Sequence, residues 1–184
     1  GSGTQSFWLA RSIWLLQPDA EIAIWGRHPD RAATVINRLA AVGVPAQVQP
    51  DLETGCRAAD AIITATPSPA PLVQSDWVQP GCHITALGAD SPGKQELDTA
   101  LVARADVRVA DMLSQCLDHG EFAMAHAAGM IGAADCVELG AVLTGKAPGR
   151  RSPQDITIAD LTGVATQDIA MARTVLARAK RLTA

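Results

Sequence analysis

The chain opens on residues 1–6, Gly1-Ser2-Gly3-Thr4-Gln5-Ser6, and residues 7–16, a stretch rich in Leu and Trp, predict a helix directly after them. This G-x-G-x-x-S pattern is a version of the fingerprint of dinucleotide-binding folds. Glycines let backbone N–H groups approach a pyrophosphate, and the helix N-terminus faces its charge. Ser6 stands where Gly or Ala is usual, and it is small enough for close helix–strand packing. Taken alone, the pattern is also typical of a cloning linker.

A predicted strand at residues 21–25 ends at Gly26-Arg27-His28, where the fingerprint places the residues that contact the adenosine ribose. An acidic residue there would bind the 2′-hydroxyl of NAD, whereas Arg27 can neutralise the 2′-phosphate of NADP and His28 can contact it. Asp30 lies close by and keeps NAD(H) possible, and Arg27 is equally typical of a solvated loop. The sequence therefore favours NADP(H), with NAD(H) as the alternative.

Short β-rich runs alternate with helical stretches along the chain, which predicts right-handed βαβ units. The expected strands are residues 21–25, 46–48, 61–65, 82–87, 107–110 and 156–161, and the expected helices are residues 7–16, 29–42, 96–104 and 164–181. Residues 111–153 depart from this alternation and predict helices and loops over one edge of the sheet. The fold class is α/β, a Rossmann-like doubly wound, mostly parallel sheet with helices on both faces. Because the fingerprint normally follows a strand, we expect the chain to be a piece of a longer polypeptide that supplies the first strand.

Composition and charge exclude several classes of protein. The 184 residues are 48% hydrophobic and 18% charged, which is a globular balance. With 15 Lys+Arg against 19 Asp+Glu, the net charge of −4 argues against nucleic acid as a partner. No apolar run is long enough to span a membrane, and no secretory leader is visible. Four widely spaced cysteines predict reduced thiols and a cytoplasmic location, and neither they nor the four histidines match a common zinc pattern, so we expect no metal.

Several stretches together resemble the ornithine cyclodeaminase/mu-crystallin family, in order and over nearly the whole chain. The most specific are the blocks GADSPGKQELD at residues 88–98 and TGVATQD at residues 162–168; the others are residues 1–6, 24–27, 59–68, 77–84, 120–121, 139–140 and 144–146. The resemblance implies a Rossmann-type NAD(P) domain over residues 1–184 and a separate N-terminal domain for substrate binding and dimerisation. It implies that residues 164–184 form a helix that returns to that domain, and that the full protein is a homodimer.

The resemblance also implies site residues. Thr66, Pro67 and Ser68 would lie along the cofactor, and Val164 near its nicotinamide, although a Pro-rich loop is an equally good local interpretation of residues 66–68. Asp90 follows the strand at residues 82–87, at the sheet edge where α/β folds bind ligands. Without the resemblance, an Asp in this loop is more often a turn former. With it, Asp90 is the expected catalytic carboxylate, which orients water or the substrate amine and stabilises iminium charge.

The function implied is hydride exchange between NAD(P)(H) and the α-carbon of a small amino or imino acid. Reductases of ketimines and pyrroline-carboxylate, amino-acid dehydrogenases and ornithine cyclodeaminases all use this chemistry. The alternative is a mu-crystallin-like protein that binds NADPH and a small ligand with little turnover, and Asp90 argues against it. Without its substrate domain, the chain alone is expected to be inactive.

Overall fold

Helices and strands alternate along residues 1–182, the part of the chain that the structure, a computed structural model, describes. The helices are α1 Thr4–Leu16, α2 Pro29–Ala40, α3 Leu52–Ala58, α4 Thr99–Arg104, α5 Leu113–Asp118, α6 Phe122–Ala127, α7 Leu139–Leu143 and α8 Ala165–Leu182. The strands are β1 Ala23–Ile24, β2 Gln47–Val48, β3 Ala61–Thr64, β4 His83–Ala86, β5 Val107–Ala110, β6 Cys136–Glu138 and β7 Thr157–Asp160. Short 3₁₀ turns cover Ser75–Trp77 and Ala133–Asp135.

All strand pairs of the described residues are parallel. Five strands form one sheet in the order β3-β4-β7-β5-β6, and β1 and β2 form a separate pair. Parallel strands need crossover connections, and here helices supply them on both sides of the sheet. This confirms the predicted Rossmann-like α/β fold.

Two apolar clusters hold the layers together. The larger lies around β4 and β7 and includes Ile84, Leu101, Phe122 and Ile158, all completely buried. The smaller packs α1 and α2 against β1 and includes Phe7, Val35 and Leu39. Burial of apolar side chains in these two clusters therefore holds the helices against the strands and positions the strand ends.

A cleft of about 850 Å³ separates the strand pair from the main sheet. Ala10 of α1, Ile24 of β1 and Ile62 of β3 line it. Strand β1 pairs with β2, and β3 pairs with β4, so the other edges of β1 and β3 border the cleft. The additional strand expected from the sequence stays a prediction.

Several boundaries differ from the sequence-based expectation. Helix α1 begins at Thr4, since Gly3 is its N-cap, and β1 is only Ala23–Ile24. The predicted helix at residues 96–104 begins only at Thr99, because the Asp98 carboxylate caps it by accepting the Ala100 N–H at 3.1 Å. Two short elements escaped prediction, helix α3 and strand β6. The final helix agrees with expectation, and Thr183 and Ala184 of the predicted 164–184 stretch lie outside the described residues.

Candidate active site at the carboxyl ends of the strands

The glycine turn at residues 1–6 lies against the ends of two strands. The Ser6 hydroxyl donates to the Gly1 carbonyl at 2.6 Å and fixes the turn. A Cβ on Gly1 would lie 2.9 Å from the Ala65 carbonyl oxygen, directly after β3. A Cβ on Gly26 would lie 2.6 Å from Ser2 Oγ, directly after β1. Both glycines therefore permit backbone approaches that a larger residue would block, and they bring the turn to the strand ends.

The N-terminus of α1 is open toward an anion. Gly3 caps the helix without a side-chain hydrogen bond, and the first turn carries no acidic residue. A Cβ on Gly3 would meet nothing within 4 Å, so no neighbouring group crowds the N-cap at that position. The first-turn N–H groups and the helix dipole thus fit the pyrophosphate of a dinucleotide. Ser2, Thr4 and Gln5, predicted with the glycines as cofactor residues, lie in this turn and at the start of α1.

Arg27 and His28 follow β1 and are exposed. His28 is the N-cap of α2, and its side chain makes no capping hydrogen bond. Arg27 makes no hydrogen bond or ion pair with the described residues, so its guanidinium is available to a ligand. Asp30 lies in the first turn of α2, as the alternative interpretation requires.

Asp90 is exposed in the loop that follows β4. Its Oδ1 accepts hydrogen bonds from Lys94 Nζ and, at 3.2 Å, from the Ser91 hydroxyl. The hydrogen bond from the Lys94 ammonium lowers the pKa of the Asp90 carboxyl below its ordinary value, and the charge of Lys94 adds to this effect. Asp90 is therefore an anion at neutral pH, suited to stabilising a positive charge.

The loop after β3 is linked to the loop after β4 by Glu96, which the sequence suggested as a helix start. The completely buried Glu96 carboxylate accepts the Thr66 N–H at 2.6 Å and the Gly88 N–H at 3.0 Å. The Gln95 N–H also donates to the Ser68 carbonyl at 2.8 Å. The predicted cofactor loop, residues 66–68, is thereby held beside the segment that carries Asp90.

Two more buried carboxylates, Glu121 and Asp160, lie near Glu96 and accept backbone N–H groups. Glu121 accepts the backbone N–H groups of Glu96 at 2.8 Å and Leu97 at 2.9 Å. Burial raises the pKa of Glu121 to about 8, and those two N–H groups oppose the rise. At the end of β7, Asp160 Oδ2 accepts the Phe122 N–H at 3.2 Å, and burial raises the pKa of Asp160 to about 7.

The turn after β7 is held by Asp111, at the end of β5. Asp111 Oδ2 accepts the Gly163 N–H at 2.8 Å, and Oδ1 accepts the Thr162 hydroxyl at 3.0 Å. Gly163 has φ +93°, a conformation that favours glycine. Val164, the predicted nicotinamide neighbour, follows directly and is half-buried.

The structure thus brings most of the predicted residues to one edge of the sheet. The register of β3 with β4 and of β4 with β7 aligns the three strand ends, and the turn at residues 1–6 borders β3. Sequence reasoning missed Glu96, Glu121, Asp111 and Asp160 as parts of this edge. For Glu96 and Asp160, the structure shows close contacts with Gly88 and Gly120: a Cβ on Gly88 would overlap Glu96 Oε2, and one on Gly120 would overlap Asp160 Oδ2.

Among the described residues, no group of three or more His, Cys, Asp or Glu side chains is arranged to hold a metal ion. All four cysteines are buried free thiols. No helix within residues 1–182 combines the length and the apolar character that a membrane crossing requires.

A parallel α/β sheet with a glycine turn and an open helix N-terminus at its carboxyl edge defines a dinucleotide-binding domain of the Rossmann type. Residues 1–182 match the ornithine cyclodeaminase/mu-crystallin family, and the chain belongs to that family.

Relatives with solved structures share the fold closely. The chain is 38% identical over 180 residues to the iminosuccinate reductase of Paracoccus denitrificans, covering 98% of this chain and 55% of the relative. The crystal structure of that reductase in complex with NAD+ superimposes with a TM-score of 0.92 at 37% identity, over 100% of this chain and 56% of that one. An archaeal alanine dehydrogenase dimer with bound NAD gives a TM-score of 0.92 at 36% identity, and the match covers 100% of this chain and 57% of that one. The chain spans about half the length of the curated relatives it matches.

Proposed function

We propose that the protein containing this chain is an NAD(P)(H)-dependent oxidoreductase that exchanges hydride with the α-carbon of a small amino or imino acid. The observation that carries the proposal is the adjacency of two features at one sheet edge. The glycine turn contacts Ala65 at the end of β3, and Asp90 follows the neighbouring strand β4. The activities named for the iminosuccinate reductase and the alanine dehydrogenase support the same chemistry.

In this proposal, the turn at Gly1, Ser2, Gly3, Thr4 and Gln5 binds the cofactor pyrophosphate through backbone N–H groups. Residues Thr66, Pro67 and Ser68 lie along the cofactor, and Val164 adjoins the nicotinamide. When bound, the cofactor supplies or accepts the hydride.

The finer cofactor assignment rests on the end of β1. Arg27, exposed and without a partner in the described residues, favours the 2′-phosphate of NADP(H), and His28 lies beside it. The two solved relatives carry NAD, which supports NAD(H) as the alternative. Asp30 is the residue that would contact an unphosphorylated ribose.

Asp90 is the proposed catalytic carboxylate. Held as an anion by Lys94, it stabilises the cationic iminium form of the substrate and orients its nitrogen or an attacking water. In a cyclodeaminase, Asp90 would likewise stabilise the iminium and orient its nitrogen or the attacking water, and the cofactor would be restored at the end. A mu-crystallin-like binding protein would bind NADPH without needing this carboxylate.

The same proposal covers the rest of the full protein. The side chains of α8 are exposed from residue 165 to residue 181 and include the apolar Ile169, Met171, Val175 and Leu176. This supports the prediction that residues 164–184 pack on an N-terminal substrate domain, with residues 1–184 as the cofactor domain. A homodimer is proposed by analogy with the alanine dehydrogenase dimer. Four buried free thiols fit a reducing, cytoplasmic location.

The test is a substrate screen on the full-length protein. NADH and NADPH oxidation is followed with pyruvate plus ammonia, iminosuccinate and pyrroline-2-carboxylate, and ammonia release is followed with ornithine plus NAD+. Turnover of an imino acid supports the reductase, and ammonia release at constant cofactor redox state identifies a cyclodeaminase. Tight NADPH binding without turnover would favour the binding protein. No binding of either cofactor, followed by tryptophan fluorescence, would reject the proposal.

A further inference from the structure

Glu96 is a carboxylate completely removed from solvent that lies between two functional loops. Its side-chain hydrogen bonds in the described residues come from two backbone N–H groups, one from Thr66 and one from Gly88. Burying a carboxylate is costly unless its oxygens are hydrogen-bonded. The two N–H groups offset this cost, and they tie the Glu96 side chain to both loops.

The two segments that Glu96 joins are the ones that would flank the reacting atoms. Thr66 follows β3 and begins the predicted cofactor loop, while Gly88 follows β4 and lies two residues before Asp90. The packing at this junction leaves no spare room, since a Cβ on Gly88 would overlap both Glu96 Oε2 and the Thr66 carbonyl oxygen. The Glu96 side chain therefore links the cofactor loop to the Asp90 loop, alongside the backbone bond from Gln95 to Ser68.

The backbone of Glu96 is fixed as firmly as its side chain. Glu121, which is 1% exposed, accepts the N–H groups of both Glu96 and Leu97. The Glu96 carbonyl in turn accepts the N–H groups of Leu72 at 2.7 Å and Val73 at 3.0 Å. A residue held on three sides cannot shift to accommodate a displaced loop, so the position of its carboxylate is well determined.

A carboxylate is required here, and an amide of the same shape does not replace it. Each oxygen faces a backbone N–H, and an ionised carboxylate accepts at both. In Glu96→Gln one of the two positions becomes an NH2 group that faces another N–H donor, so one loop loses its partner. Because misplacement of reacting groups by about 1 Å costs on the order of 100-fold in rate, losing one of these bonds should affect the chemical step.

We propose that Glu96 is a positioning residue for the hydride-transfer site, which sets the nicotinamide and Asp90 at reacting distance by holding the loops after β3 and β4 together. This inference rests on the proposed function. Glu121 supports this role because it accepts the N–H groups of Glu96 and Leu97 and so fixes the backbone of Glu96.

The experiment compares Glu96→Gln with Asp98→Asn in the full-length protein. Asp98 is a matched control because its carboxylate also accepts backbone N–H bonds in the same segment, from Ala100 and Ser75, without joining the two loops. The readouts are kcat and KM for the imino acid, the primary isotope effect with 4-deuterated NADH, and the fluorescence lifetime of bound NADH. For Glu96→Gln we expect kcat to fall about 10- to 100-fold with KM within about threefold, a larger isotope effect and a shorter lifetime. For Asp98→Asn we expect thermal destabilisation with all three readouts unchanged.

Each remaining outcome decides the matter. Wild-type values of kcat and lifetime in Glu96→Gln would overturn the positioning role while leaving the proposed function intact. A wild-type protein that binds no nicotinamide cofactor would overturn both. If Glu96→Gln does not fold, Glu121→Gln provides the second variant, with a smaller change expected in the same readouts. Failure of both to fold, with Asp98→Asn folded, would assign the carboxylates to the fold alone and overturn the inference.

Discussion

The Asp90 carboxylate and the Lys94 ammonium form an ion pair within one loop, with 2.5 Å between Oδ1 and Nζ. Lys94 is the more buried partner, with 29% of its side chain exposed against 54% for Asp90. The pair orients the carboxylate at the carboxyl end of β4 and keeps it ionised. Asp90 is thus prepared to stabilise positive charge.

Removing the Lys94 ammonium should raise the pKa of Asp90 toward its ordinary value, because the hydrogen bond and the charge that favour the carboxylate are lost. We expect this rise in Lys94→Met and a much smaller one in Lys94→Arg, which keeps the charge. A ¹³C NMR titration of the Asp90 carboxyl carbon measures both. An unchanged titration in Lys94→Met would mean that the pair does not persist in solution.

Substituting Asp90 by Asn should remove the proposed catalytic carboxylate and leave cofactor binding intact. We expect kcat of the full-length enzyme to fall by about 100-fold or more, which is typical for loss of a group acting in proton transfer or charge stabilisation. The Kd for the cofactor, followed by Trp25 fluorescence, should change little. Asp118→Asn, an exposed carboxylate paired only with His119 in the described residues, is the control that should retain activity.

The sequence predicted the α/β layers of the fold well, and it located the loops at the carboxyl ends of the strands, because these features are local. The glycine turn, the β4 run and the Asp90 loop each combine a distinctive composition with a fixed chain position. The expected Rossmann-like α/β fold is confirmed by the parallel sheet, and the expected family by the family match.

Short or long-range features could not be predicted in this way. Strand β6 has only three residues, and its pairing with β5 is set by the rest of the sheet. Glu96 sits in a polar block where a helix start is the ordinary interpretation. Its hydrogen bonds join it to Thr66, 30 positions away, and to Glu121, 25 positions away. Buried carboxylates of this kind are recognised only when their distant N–H partners are in place.

Arg27→Ala should change the affinity for NADPH and leave the affinity for NADH nearly unchanged. If the guanidinium neutralises a 2′-phosphate, its loss should weaken NADPH binding about 10- to 100-fold and leave NADH binding within about twofold, as expected for loss of one charge-assisted contact. Trp25, two residues before Arg27, reports binding by fluorescence. Arg31→Ala, an exposed arginine on α2, should change neither affinity. Equal losses for both cofactors, or none, would assign the ribose contact to another residue such as Asp30.

Asp160 should make the protein less stable as pH rises. Burial raises its folded-state pKa to about 7, above its unfolded value, so the folded state binds more protons between these limits. The stability contribution is therefore complete below the unfolded pKa and is lost as pH rises through about 7. Asp160 Oδ1 has no hydrogen-bond partner among the described residues, and this adds to the cost of ionisation.

Asp160→Asn should reduce this pH dependence, because asparagine does not titrate. The amide oxygen can still accept the Phe122 N–H, so the local structure should be kept. We expect the loss of unfolding free energy from pH 5 to pH 8 to be smaller in Asp160→Asn by on the order of 2 kcal/mol. Urea unfolding at pH 5, 6, 7 and 8 measures it. Asp118→Asn makes the same charge change at an exposed site and should follow the wild type. Parallel curves for the wild type and Asp160→Asn would show that Asp160 does not titrate in this range.

Gly88→Ala should destabilise the sheet edge more than an ordinary glycine substitution. The added methyl group would overlap Glu96 Oε2 and the Thr66 carbonyl oxygen, so the loops after β3 and β4 must separate. We expect a loss of about 1 to 3 kcal/mol of unfolding free energy, as for other overpacked sites, with weaker cofactor binding. Gly140→Ala is the matched control, because Gly140 lies in α7 and a Cβ there meets nothing within 4 Å. It should stabilise the protein by about 0.5 to 1 kcal/mol through higher helix propensity. Equal stability of the two variants in urea unfolding would mean that the junction around Glu96 is looser than its contacts indicate.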